Sequence, residues 1–186
     1  AEFISANKRN AARLERATAG TPTADTFQNN ADFLGIKSDI EKYNPNIITI
    51  QLSENCQTSD STILELFYNT IYDMVADTKS PDCLVVCISP FGTCTRTDAI
   101  KKCAEAHKDQ GFYFADLSWV NSQGSGVNNP YLAYAQYPQY DLWKKLNSGA
   151  VEFRSHPGDK GMDAIAEKVA EQLLPGIPEK IAANTV

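Results

Sequence analysis

Three short apolar runs punctuate the chain, and residues that break regular structure introduce each one. IITIQL at 47–52 follows Asn44-Pro45, CLVVCI at 83–88 follows Ser80-Pro81-Asp82, and FYFAD at 112–116 follows Gly111. Runs this short, rich in β-branched or aromatic residues, predict strands buried on both faces of a parallel sheet. Between and after them the period lengthens to that of helices. In 61–77, Leu64, Phe67, Ile71 and Met74 recur at three- and four-residue spacing, with Asp60 or Ser61 as the N-cap. In 96–108, Ala99, Ile100, Cys103 and Ala106 or His107 mark a second apolar face, and His107, late in that helix beside Lys108, reads as a surface residue. A third helix, 160–174, turns Met162, Ile165, Ala166, Val169 and Leu173 inward, and Pro175 stops it. Strands alternating with helices predict an α/β fold with right-handed crossovers.

Two stretches break that rhythm. Residues 19–31 are polar and loop-like, and 121–140 (NSQGSGVNNPYLAYAQYPQY) combine Gly, Asn and Pro with several tyrosines and no period. A loop as long as the second, set in a compact domain, points to function. At 186 residues the chain suits a single domain with a sizeable core. Its net charge of −6, with no cluster of Lys or Arg, argues against nucleic acid as a partner and favours neutral substrates over polyanions. No apolar run is long enough for a membrane span, and the first ten residues lack the basic-then-apolar order of a signal peptide.

Ligands of a parallel sheet meet the loops that leave the carboxyl ends of its strands. Here those loops are SENC at 53–56, SPFGTC at 89–94 and LSWVN at 117–121. Asn55 in the first carries a side-chain amide suited to donate to an oxyanion, and equally suited to bond its own backbone as a turn residue. The stretch RSHPGDKGM at 154–162 mounts one of the two histidines. Pro157 stiffens the chain after His156, and Asp159 is placed to cap the helix that follows. The positive end of that helix disfavours an imidazolium and keeps a neutral base available.

QLSEN after a strand, with HPGDKGMDAIAEKVAEQL much later, resembles the SGNH (GDSL-like) hydrolases, especially small bacterial carbohydrate-esterase-like members. The likeness covers roughly residues 30–175, and the His-Pro block is its most specific part. It implies a three-layer α/β/α sandwich of flavodoxin-like type with a mainly parallel sheet, and a single domain over 1–186 that lacks its first strand. It also implies a serine esterase in which Asn55 stabilises the oxyanion and His156 is the base. Three family features are absent, one being the oxyanion glycine, for which the region around Gly20 and TFQNNADF offers no strand and no assigned residue. Phe153 stands where the acid that orients the histidine is expected, leaving Glu152 as the substitute. No Gly-Asp-Ser block closes a first strand, so the nucleophile is either Ser5, in EFISANKRN, or a serine on an upstream segment or a second chain.

The mechanism implied is acyl transfer to serine and hydrolysis, with no metal or other cofactor. No His/Cys spacing supports zinc. Trp119, Tyr131 and Tyr134, in and before the tyrosine-rich stretch, offer faces to sugar rings, so an acetylated sugar or polysaccharide is the expected substrate. The alternative is a carbohydrate-binding or structural domain that keeps the fold without catalysis. Of five cysteines, Cys83 and Cys87 read as core, while Cys56 and Cys94 end loops at one sheet edge and are expected to form a bridge. A disulfide would favour a secreted or extracytoplasmic bacterial setting.

Overall fold

The computed structural model describes residues 14–52, 55–91, 96–124, 128–133 and 156–174. A helical turn at 14–16 leads to α1 (Ala24–Gln28) and α2 (Ala31–Tyr43). There follow β1 (Ile47–Ile50), α3 (Ser61–Thr78), β2 (Leu84–Ile88), α4 (Arg96–Ala106), β3 (Phe112–Ala115) and α5 (Asp159–Leu173). The three strands form one parallel sheet in the order β1-β2-β3, with Ile47 opposite Leu84 and Val85 opposite Phe112. The chain is therefore of the α/β class, with strands where the three apolar runs predict them.

Strand period two divides the core. Val85 and Cys87 of β2 join Ile50 and Phe112 in a cluster with α1, α2, α3 and α4, whereas Leu84, Val86 and Ile88 join Ala115, Leu117 and Leu173 of α5. The first cluster is rich in rings: Phe67 meets Phe27 and Tyr68 edge-on, each at 5.1 Å between centroids. Helix α3 supplies most of it. Leu64, Phe67, Ile71 and Met74 are all buried, as their spacing predicts, and Tyr68, Tyr72 and Val75 widen the stripe. Its N-cap is Asp60, whose carboxylate accepts the N–H groups of Thr62 (2.8 Å) and Ile63 (3.3 Å). At the other end of the preceding unit, α2 stops at Asn44 in the left-handed region (φ 41°), just before Pro45.

Several expectations are corrected by packing. The stretch 19–31 is not all loop: Phe27, on α1, is fully buried, so one aromatic recruits a polar segment to the core. His107 is buried, not on the surface. Its Nδ1 lies 2.7 Å from the Cys103 carbonyl and its Nε2 lies 2.9 Å from Asp73, with Tyr72 and Phe112 against the ring. On α5 the inward face is rotated. Gly161, Ala164 and Leu173 are buried and Ile165 and Val169 are half-buried, while Met162 is 56 % exposed and Ala166 faces solvent. Ile165, Val169 and Leu173 pack against the sheet as their spacing predicts, while Gly161 and Ala164, small enough for close approach, take the places expected of Met162 and Ala166. Asp159 does not cap α5; Gly158 holds the N-cap position and Asp159 lies in the first turn.

Candidate functional site

The carboxyl ends of the strands open onto three loops, and each is fastened by buried polar groups. Beyond β1, the Leu52 carbonyl accepts the Tyr68 hydroxyl at 2.6 Å. Asn55 donates both its backbone N–H (3.2 Å) and its side-chain Nδ2 (2.8 Å) to one oxygen of Glu15, a carboxylate only 3 % exposed. Two residues on, the Gln57 N–H donates to the Thr18 hydroxyl (2.8 Å), which itself donates to the Glu15 carbonyl. From the opposite side Arg96, the first residue of α4, donates an Nη2 hydrogen to the Cys56 carbonyl at 2.8 Å. The β1 exit is thus held between the 14–18 segment and the start of α4.

At the β2 exit Ser89 is fully buried. Its Oγ accepts the Leu117 N–H at 2.7 Å and faces the Pro90 carbonyl at 3.3 Å, so this serine straps two exit loops together and is not placed as a nucleophile. Beyond β3 the chain forms a 3-10 turn, Ser118–Gln123. Asn129, fully buried, gives its amide hydrogens to the carbonyls of Val120 (2.8 Å) and Gly124 (3.2 Å) and accepts the Tyr131 N–H (3.0 Å). That staple brings Tyr131 edge-on to Trp119, with ring centroids 5.0 Å apart. The Trp119 Nε1 is buried without a hydrogen-bond partner, and the Lys160 ammonium lies 4.9 Å from the Tyr131 ring centre.

The His-Pro segment joins this assembly through its backbone. Leu132 and Pro157 form an antiparallel bridge, flanked by Ala133 N–H to His156 carbonyl (2.9 Å) and Gly158 N–H to Tyr131 carbonyl (3.0 Å). Gly161 packs so closely that a Cβ there would stand 2.8 Å from Pro157 and 3.0 Å from the ring of Phe91, just past β2. Residues 131–133 therefore form a backbone seat for His156, Trp119 holds that seat at the exit of β3, and Phe91, at the exit of β2, lies against Gly161 of α5.

Asn55 and His156 consequently stand on exposed loop positions at the same, carboxyl-end edge of the sheet, Asn55 beyond β1 and His156 beside the exits of β2 and β3. Trp119 and Tyr131 share the His156 end. Ser5, Glu152, Tyr134 and Cys94 lie outside the described residues, and with Cys94 so does the expected Cys56–Cys94 bridge. Cys56 itself is buried, 3.9 Å from the Tyr68 hydroxyl. Glu15, Arg96 and Asn129 are site-shaping residues that the sequence reading missed. No local sequence signal singles out the first, since its partner Asn55 lies 40 residues away.

Burial raises the Cys87 thiol to about 12, and it raises the Cys103 thiol to about 12. Both belong to the core and neither reaches the rim. Among the described residues no group of three His, Cys, Asp or Glu side chains is arranged to hold a metal ion, and no helix is long and apolar enough to cross a membrane. In comparisons with known proteins, the chain matches no family model, no curated protein and no solved structure.

Proposed function

We propose that the protein is an ester hydrolase of SGNH type that removes acyl groups, acetyl foremost, from carbohydrates, on a three-layer α/β/α sandwich of flavodoxin-like type. The observation that carries the reading is the shared edge: a side-chain amide and an imidazole, 101 residues apart in sequence, belong to loops at one end of one parallel sheet. His156 takes the proton of a serine hydroxyl as its oxygen attacks the ester carbonyl. Asn55 donates to the tetrahedral oxyanion, the alcohol leaves with the proton from His156, and water then cleaves the acyl-enzyme with His156 again as base. The serine is Ser5 or one supplied by an upstream segment or a second chain, and Glu152 orients the imidazole. Trp119 and Tyr131, half-buried and packed edge-on next to the segment bridged to His156, are the aromatic groups on which a sugar ring would stack through its C–H groups.

The test is turnover of 4-nitrophenyl acetate and of an acetylated sugar, before and after a serine-directed phosphonate. Turnover that the reagent abolishes is expected, with the phosphonate's mass on Ser5 or on a serine of a second chain. Asn55→Ala is expected to lower kcat by about 10²–10³-fold and His156→Ala to abolish turnover. Silence on both substrates overturns the esterase reading. One observation favours a second reading, a carbohydrate-binding domain: the Asn55 amide already spends one hydrogen on Glu15, while the Trp119–Tyr131 pair is built irrespective of any nucleophile. Sugar binding without turnover, lost in Trp119→Ala, is its signature.

A further inference from the structure

We infer that Glu15 is a positioning residue that decides which atom of Asn55 faces the rim, an inference that rests on the esterase reading of Asn55. An asparagine amide has two orientations, related by a half-turn, that exchange a donor for an acceptor. As an oxyanion donor it is useful in one of them and repulsive in the other. A carboxylate only accepts, and here one oxygen of Glu15 takes both the backbone N–H and the Nδ2–H of Asn55. Turning the amide over would set its oxygen against that carboxylate and break the shorter bond. The two bonds to a single atom also close a ring through the Asn55 backbone and side chain, so both side-chain torsions are fixed. One Nδ2 hydrogen is committed to Glu15, and the other, splayed from it in the amide plane, is the one offered to an acyl oxygen.

Glu15 is itself held rigidly. Leu14 beside it is fully buried, and Thr18 links the Glu15 carbonyl to the Gln57 N–H. Burying an ionisable acid is costly, and a neutral acceptor would fasten a loop as well. What the carboxylate adds is its inability to donate, which makes the choice of amide orientation absolute.

The experiment compares the full chain with Glu15→Ala, Glu15→Gln, Asn55→Ala and the Glu15→Ala/Asn55→Ala double variant. Its readouts are kcat and KM on 4-nitrophenyl acetate, and the Asn55 side-chain NH₂ resonances in ¹⁵N-edited NMR spectra. Glu15→Ala is expected to lower kcat by roughly tenfold to a hundredfold with KM little changed. Glu15→Gln, which keeps an accepting oxygen but can also donate, recovers only part of that loss, and the double variant is no slower than Asn55→Ala alone. The two Asn55 amide protons, well separated in the parent protein, converge in Glu15→Ala. Losses that multiply in the double variant, or amide signals unmoved in Glu15→Ala, overturn the inference. If Glu15→Ala does not fold, Glu15→Gln decides: an upfield shift of the downfield amide proton supports the inference and an unmoved one overturns it. A parent protein without esterase activity refutes the esterase reading, and the amide signals then decide the role of Glu15 by themselves.

Discussion

Gly161→Ala is the most exacting test of how His156 is mounted. Gly161 lies in the first turn of α5, and an added Cβ would stand 2.3 Å from the Tyr131 carbonyl oxygen, 2.8 Å from Pro157 and 3.0 Å from Phe91. On helix propensity alone the change stabilises by about 1 kcal/mol, since alanine is the better helix former. Against that, a methyl group forced against a backbone oxygen costs about 1–3 kcal/mol in overpacking. The carbonyl it displaces is the one that accepts the Gly158 N–H, next to the Ala133–His156 bond. Loosening those two bonds costs a further 0.5–1.5 kcal/mol or so each. The balance is a loss of about 1–5 kcal/mol, and its middle value of about 3 kcal/mol lowers Tm by roughly 6–12 °C for a chain of this size. Thermal unfolding followed by circular dichroism measures it, and turnover of 4-nitrophenyl acetate is expected to fall with it as His156 shifts. A variant that melts at or above the parent temperature would refute the reasoning, because it would mean that the 131–133 segment does not lie across the start of α5.

Asp60→Ala removes the acceptor for two N–H groups at the start of α3 and is expected to cost about 1 kcal/mol, or ~2–4 °C in Tm, whereas Asp60→Asn, which keeps a capping oxygen, loses much less. Equal losses in the two variants would show that the cap does not hold α3. Cys87 and Cys103, with thiols raised to about 12, are expected to resist iodoacetamide at pH 8 in the folded protein and to react once it is unfolded; modification of either at the rate of a free thiol would contradict their burial. The same shifts bear on stability. Unfolded thiols lose protons near the ordinary value of 9.0 while the folded ones hold theirs to about 12, so the unfolded state binds fewer protons in that window and stability falls as pH rises through it. A denaturation midpoint flat across that range in the parent, or one that falls equally in Cys87→Ala, would contradict this.

Much of the fold was legible because the three apolar runs and the α3 stripe are local signals with a definite period. Those signals gave the strand positions and the helix between β1 and β2. What failed to show was non-local. Nothing in ADTFQ announces a core position for Phe27, because a single ring in a polar stretch has no period; its burial depends on Phe67, forty residues later. His107 looked like a surface residue because its partners, Asp73 and the Phe112 ring, come from other elements. On α5 the apolar Ile165, Val169 and Leu173 do face inward, and what periodicity misses is the close approach of Gly161 to Tyr131. Around the candidate site, Asn55 and His156 stand out by their local sequence, while Glu15, Arg96 and Asn129, whose partners lie across the fold, do not.

The strands run in simple order, and both α3 and α4 lie with the cluster on one side of them. Crossovers of one hand between neighbours in a parallel sheet deliver successive helices to the same side. The opposite side, with Leu84, Val86 and Ile88, is closed by α5, the last described helix. Among the described residues, the larger, ring-rich cluster is therefore synthesised before the helix that covers the other side, residues 159–173. His156 lies just before that stretch, so a polypeptide terminated ahead of it lacks both this imidazole and the cover that α5 gives to Leu84, Val86 and Ile88.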